Sequence, residues 1–184
     1  MVKTSADKKF LFALARAYLD ARRYKRWKNN TLQFSLRGEE NLLRLASDIK
    51  RRSYRIKPSL CFIASEPIKR EIFAGDFRDR IIHHLVFNEL NPHYDRLFIN
   101  DCYSCRKKRG TDYGIRRVSS FVKSAAGGRK RPPYVLKLDI GGYFMNIDRR
   151  LLYEKNKTLI MRFFRNEPEK INGLLYLLRL IIFN

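Results

Sequence analysis

Between Tyr134 and Ile140 the chain alternates without a break. Tyr134, Leu136, Leu138 and Ile140 fall on one side of an extended run, and Val135, Lys137 and Asp139 fall on the other. One face suits a core, while the opposite face ends in a carboxylate. A strand needs sheet partners, so this run limits the fold to one that provides them. Residues 54–64 and 68–74 read as two shorter strands, separated by the turn-like break Ser65-Glu66-Pro67. Almost everything else has helical period. The expected class is α+β: helix-rich, with a β-hairpin and one further strand over 134–140.

The helices follow from spacing and caps. Phe10, Leu14, Ala17, Tyr18, Ala21 and Tyr24 recur at helical intervals up to Trp27, with Arg16, Arg22, Arg23, Lys25, Arg26 and Lys28 on the other faces. A second helix is predicted over 39–51, with Leu42, Leu45, Ala46 and Ile49 inward and two acids in its first turn. Asp76 caps a helix to about Leu90, which Asn91-Pro92 should end, and residues 93–110 read as loop. Thr111 is the expected cap of a helix carrying Ile115, Val118, Phe121 and Val122, followed by a basic Gly/Pro connector over 127–133. Asp148 caps a helix to about Arg165, and Glu167-Pro168-Glu169 opens a final one. That last helix is apolar almost all round, which predicts burial on most sides. Two features ask for more than these residues offer, namely this helix and the partnerless strand. The expectation is that sequence continues past Asn184. Self-association, or an accessory protein seated on the apolar helix, is the alternative.

Charge narrows the partner. Forty Lys and Arg against 18 Asp and Glu leave a net charge of +22, a self-repulsion best tolerated by a chain whose partner is a polyanion such as nucleic acid. Residues 106–131 concentrate it, with ten basic side chains against the single acid Asp112 and with Tyr113 and Phe121 interleaved. Arg106, Lys107, Lys108, Arg109, Arg116 and Arg117 are the candidate contacts to a nucleic-acid backbone. A merely solvated basic face is the bland alternative. No apolar run reaches the ~20 residues that cross a bilayer, and the N-terminus carries no cleavage-site signature. With three cysteines besides, the expected location is a reducing cytoplasm, with no membrane partner. Cys102 and Cys105 have zinc-site spacing, but the other available ligands, Cys61, His83, His84 and His93, make no second pair, so a structural role is expected.

Asp139 is the candidate for chemistry. A lone acid ending a core strand is ordinarily a cap or turn former. Here it lies in L-K-L-D-I-G-G-Y-F, where two glycines let backbone N–H groups approach an anion and Phe144 follows five residues on. Phosphoryl transfer by two metals needs carboxylates that hold Mg2+. Asp139 would supply one, with the Ile140 carbonyl as a further oxygen ligand.

The run V-L-K-L-D-I-G-G-Y-F-M-N-I-D resembles motif A of reverse transcriptases. Upstream, P-I-K-R-E-I-F-A-G-D-F-R-D-R-I-I-H-H-L resembles their fingers motif, and L-F-I-N-D-C-Y-S-C-R-K-K-R-G-T the block that follows it. The likeness extends from about Arg55 to Arg150 and is greatest to the bacterial class around diversity-generating retroelements, with group II intron enzymes more distant. It implies a right-hand polymerase: a basic helical region over 1–52, fingers over 53–132 and a partial palm over 133–184. It implies RNA-directed DNA synthesis, a nucleotidyl transfer from a dNTP to a primer 3′-OH on an RNA template, with a DNA or RNA primer and Mg2+. Asp139 would be the first metal ligand and Phe144 the gate against a ribose 2′-OH. Gly142 and Tyr143 would offer N–H groups to the triphosphate, and Lys69 and Arg70 would grip its charge. Arg78 and Arg80 would assist or pair with Asp76 or Asp79.

One departure is large. The family's Tyr-x-Asp-Asp does not occur in these 184 residues, so they are expected not to polymerise alone. A non-catalytic basic RNA-binding module derived from a polymerase is the alternative. So is a subunit whose missing carboxylates come from another chain.

Overall fold

Helical period becomes helix wherever a buried stripe supports it. A computed structural model of the chain describes residues 5–66, 69–127 and 133–184. Among these lie seven α-helices and one antiparallel hairpin, in the order α1 (Ser5–Arg22), α2 (Asn29–Leu36), α3 (Gly38–Lys50), β1 (Leu60–Ala64), β2 (Arg70–Ala74), α4 (Phe77–Leu97), α5 (Thr111–Ala126), α6 (Arg149–Phe163) and α7 (Pro168–Ile182). The helix-rich α+β class is therefore observed. The chain divides into two compact units, Met1–Leu90 with Asp148–Asn184, and Asn91–Ile147.

The first unit holds the core. Leu14, Ala17 and Ala21 of α1 are buried, as are Leu45, Ala46 and Ile49 of α3. Phe77, Ile81, Ile82, Leu85, Val86 and Leu90 of α4 and Leu174, Leu177 and Leu178 of α7 complete the buried apolar set, along with Tyr54, Ile160 and Phe164. Phe34 of α2 joins Tyr18 and Phe77 in an aromatic cluster, with ring centroids 5.4 to 6.1 Å apart. That cluster explains α2, which has no side-chain cap and was not anticipated. Its Ser35 hydroxyl accepts from Tyr18 and donates to the Thr31 carbonyl, and Asn41 Nδ2 donates to the Phe34 carbonyl. Tertiary contacts thus supply what eight residues of propensity cannot.

Several expectations need correction. The first strand begins at Leu60 instead of Tyr54. Tyr54 is buried in the helical core, and Pro58 has no N–H to give a ladder. The hairpin itself is in register from Leu60↔Ala74 to Ala64↔Arg70; Pro67 and Ile68 of its connection lie outside the described residues. The expected helix stop at Asn91-Pro92 fails, and α4 continues through Pro92 to Leu97. Arg106 supports the extension, because its guanidinium donates to the carbonyl of Asp95 in the last turn, where intrahelical partners run out, and to those of Ile99 and Cys102 just beyond the helix. Gly110, not Thr111, is the N-cap of α5, and no side chain caps it. Asp148 does cap α6, with Oδ1 accepting from the N–H groups of Arg150 (2.8 Å) and Leu151 (2.9 Å).

The largest correction concerns residues 134–140, which form no strand. The hairpin is the one sheet among the described residues, so the alternating run has nothing to pair with. Its core-type side chains face solvent, with Leu136 81% and Leu138 82% exposed. The apolar stripe of α5 is likewise uncovered, as Ile115, Val118 and Phe121 are all exposed. Most of the connector before the run, residues 128–132, lies outside the described residues.

Candidate functional site

The motif that carries Asp139 is a turn followed by a single 3-10 coil. After the extended run, Gly142 takes a left-handed conformation (φ 61°, ψ 30°) and Tyr143–Asn146 winds into the 3-10 turn. The Gly142 carbonyl accepts from the N–H groups of Met145 (3.0 Å) and Asn146 (3.1 Å) and from Asn146 Nδ2 (3.1 Å). A Cβ at position 142 would lie 2.9 Å from Asn146 Nδ2, whereas one at Gly141 would meet nothing within 4 Å. The turn therefore favours glycine at 142 for its left-handed backbone, while the Asn146 amide, the end of an exposed side chain, can move aside. It displays Phe144, 84% exposed, with its ring 5.3 Å from that of Tyr143. Asp139 is exposed too, and its Oδ1 accepts from the Ile140 N–H at 2.9 Å.

This geometry bears on Mg2+. Two-metal phosphoryl transfer needs several carboxylates around the ions. Among the described residues no three His, Cys, Asp or Glu side chains gather into a group that would hold a metal. Asp139 and the Ile140 carbonyl amount to one carboxylate and one backbone oxygen. They do not make a two-metal site by themselves.

The expected triphosphate grip is divided. Lys69 is exposed beside the hairpin, and Arg70 begins β2, its side chain outside the described residues. Arg80 sits in the first turn of α4, its N–H donating to the Asp76 carbonyl. Arg78 turns into the protein. Its Nη2 donates to the Arg55 carbonyl (3.0 Å), Nη1 lies 3.9 Å from Asp48, and the guanidinium stands 4.7 Å from the centre of the Tyr54 ring. Arg78 Nε is buried without a partner. These contacts hold Arg78 against Tyr54, Asp48 and the Arg55 carbonyl.

The basic stretch sorts in the same way. Arg106 has only 6% of its side chain exposed, and its Nε pairs with Asp95 at 2.6 Å. Arg117 forms a two-pronged pair with Asp101 (2.7 and 2.9 Å) and lies 4.5 Å from the Phe121 ring centre. Arg109 donates to the Asn100 carbonyl and stands over Tyr113. These three guanidiniums fold the segment around residues 95–117. Lys107, Lys108 and Arg116 are exposed and carry the outward charge. Asp101 also accepts from the Tyr103 hydroxyl at 2.6 Å. Arg117 first, and then Tyr103, hold the Asp101 carboxyl down to about 2.

Two arrangements escaped the sequence reading. Asp79, 1% exposed, accepts from the Tyr54 hydroxyl through Oδ1 and from the Lys57 N–H (3.1 Å) through Oδ2. Burial pushes the Tyr54 hydroxyl pKa well above the usual phenol range, and Asp79 pushes it the same way. The other is the turn after α1, where Tyr24 (φ 61°) and Trp27 are 90% and 87% exposed beside Arg23 and Arg26. Periodicity had carried the helix through these residues. Aromatics bracketed by cations were the signal available for this turn. Cys102 and Cys105 are free thiols.

A scan against protein-family models matches none, and no curated protein matches the chain. Among the described residues no helix is long and apolar enough to cross a membrane.

Proposed function

We propose that this chain is the fingers and the beginning of the palm of an RNA-directed DNA polymerase, a reverse transcriptase working on dNTPs, a primer and an RNA template. The observation that supports the reading is the turn after Asp139. An extended run leads to a solvent-facing carboxylate, a glycine-dependent bend follows, and the 3-10 turn then presents an aromatic ring to solvent. That order suits a metal-binding acid followed by backbone and ring contacts to a nucleotide. Lys69, the exposed residue before β2, and the outward Lys107, Lys108 and Arg116 supply positive charge for triphosphate and template, and Arg70 at the start of β2 adds to it by sequence. The run over 134–140 would take its place in a palm sheet when strands are there to pair with it.

A second reading, a non-catalytic RNA-binding module of polymerase descent, has one observation in its favour. The outward charge serves RNA binding whether or not Asp139 does chemistry. Asp139→Ala separates the two. In the product of the complete reading frame, the polymerase reading expects primer extension on an RNA template to fall at least a hundredfold while RNA affinity stays within twofold. Unchanged extension by the variant refutes the role of Asp139. RNA binding with no extension in either protein leaves the binding module.

A further inference from the structure

The last helix has two working faces. Leu174, Leu177 and Leu178 go into the core, while Tyr176, Arg179 and Phe183, spaced three and four residues apart, line a cavity of about 600 Å³. The segment after α3 provides the facing wall through Arg52 and Arg55, and Tyr153 of α6 closes the side. Three guanidiniums and three aromatic rings thus surround one space, and no acidic residue lines it. Among the described residues no carboxylate forms an ion pair with Arg52, Arg55 or Arg179.

The walls are held in place. Tyr176 donates its hydroxyl to the Tyr54 carbonyl (3.4 Å), the Tyr153 and Phe183 rings pack at 5.6 Å, and Arg149 Nη1 donates to the Asn184 carbonyl (3.1 Å). Arg52 takes the left-handed position (φ 55°) of the turn that closes α3, where the Ser53 N–H donates to the Asp48 carbonyl (3.0 Å) and the Arg52 N–H to that of Ile49 (3.1 Å), and its guanidinium lies 5.5 Å from the centre of the Tyr176 ring. Three guanidiniums that share one space without a carboxylate suit an anion. The flat apolar walls ask for a planar ring on the same ligand. The volume fits a small organic ligand of that kind.

We infer that this cavity binds a nucleoside 5′-phosphate unit, its base against the Tyr153, Tyr176 and Phe183 rings and its phosphate on Arg52, Arg55 and Arg179. The unit is either a free nucleotide or one residue of an RNA strand. The site involves none of the residues around Asp139.

Calorimetric titration of the chain with AMP, adenosine, inorganic phosphate and a 5′-phosphorylated oligo(rA) tests it. AMP is expected to bind at least tenfold more tightly than adenosine or phosphate alone. Arg52→Ala with Arg179→Ala should weaken AMP at least tenfold at unchanged melting temperature. Arg162→Ala, a charge removed outside the cavity lining, should change it less than twofold. Competition between AMP and the oligonucleotide, with both weakened by the double variant, assigns the site to RNA. Weakening of AMP alone assigns it to a free nucleotide. Equal effects of the double and control variants would reduce the binding to general charge and overturn the inference. Phosphate binding as tightly as AMP would remove the base-binding wall and overturn it as well.

Discussion

Replacing Tyr54 with Phe isolates one buried hydrogen bond. Tyr54 and Asp79 are each 1% exposed, and Asp79 has two partners, the Tyr54 hydroxyl and the Lys57 N–H. Phenylalanine keeps the ring and the Arg78 guanidinium stacked on it 4.7 Å away, so no cavity opens. What is lost is a hydrogen bond to a charged acceptor that cannot turn to water, a loss of about 2–3 kcal/mol. With a urea m-value of about 2 kcal/mol/M, the unfolding midpoint of Tyr54→Phe should fall by about 1 M at unchanged slope. The pH dependence has a definite sign. The folded hydroxyl has a raised pKa, so its contribution is complete below the free phenol value of about 10 and declines as the pH rises beyond it. The gap between wild type and variant should therefore narrow in strong alkali. A midpoint shift below about 0.2 M with the same m-value, or a gap that widens with pH, would refute the view that Asp79 depends on this donor.

Three further outcomes follow from single contacts. Asp148→Ala should destabilise the chain by about 1 kcal/mol through loss of the α6 cap, with Asp148→Asn close to wild type in the same urea titration; equal losses in both would mean that charge and not capping is at work. Carboxyl NMR of Asp101 should give a midpoint of about 2, below the ordinary aspartate value, so the Arg117 pair persists at mildly acidic pH and dissolves only as the pH falls through that midpoint; a midpoint near 4 refutes the pair. Arg106→Lys should speed amide exchange at the end of α4 and around residues 98–110, because a lysine cannot reproduce the four contacts of the guanidinium. Lys107→Ala and Lys108→Ala should leave exchange there unchanged, and the argument fails if all three behave alike.

Local signals were readable in the sequence where the deciding chemistry lies within a few residues. The Asp148 cap, the opening of α7 at Pro168 and the inward stripe of α3 each depend on neighbours three or four positions away. The reading failed where the partner is distant. Pro92 is a helix breaker by any local rule, and the residue that supports α4 beyond it is Arg106, whose affinity for those carbonyls no pattern announces. The alternation over 134–140 was read correctly as alternation, but a strand is a property of two segments. Charge had the same ambiguity at the candidate site. Arg106, Arg109 and Arg117 carry the same charge as Lys107, Lys108 and Arg116, and the positions of Asp95, Asp101 and the Asn100 carbonyl separate the internally bonded cations from the displayed ones. Arg78, too, could not be told from Arg80 until Tyr54 was seen beneath it.

The two adjacent glycines after Ile140 are alike as letters and unlike as constraints. Position 142 is constrained by its left-handed backbone, while a side chain at 141 would meet nothing within 4 Å. In a library that randomises both codons and selects for a folded chain, position 142 should return mostly glycine, with asparagine and aspartate next, and carry most of the information of the pair. Position 141 should drift through small and large residues. If a later selection for activity then restores glycine at 141, the restored preference measures what the ligand requires, already separated from what the chain requires in order to turn.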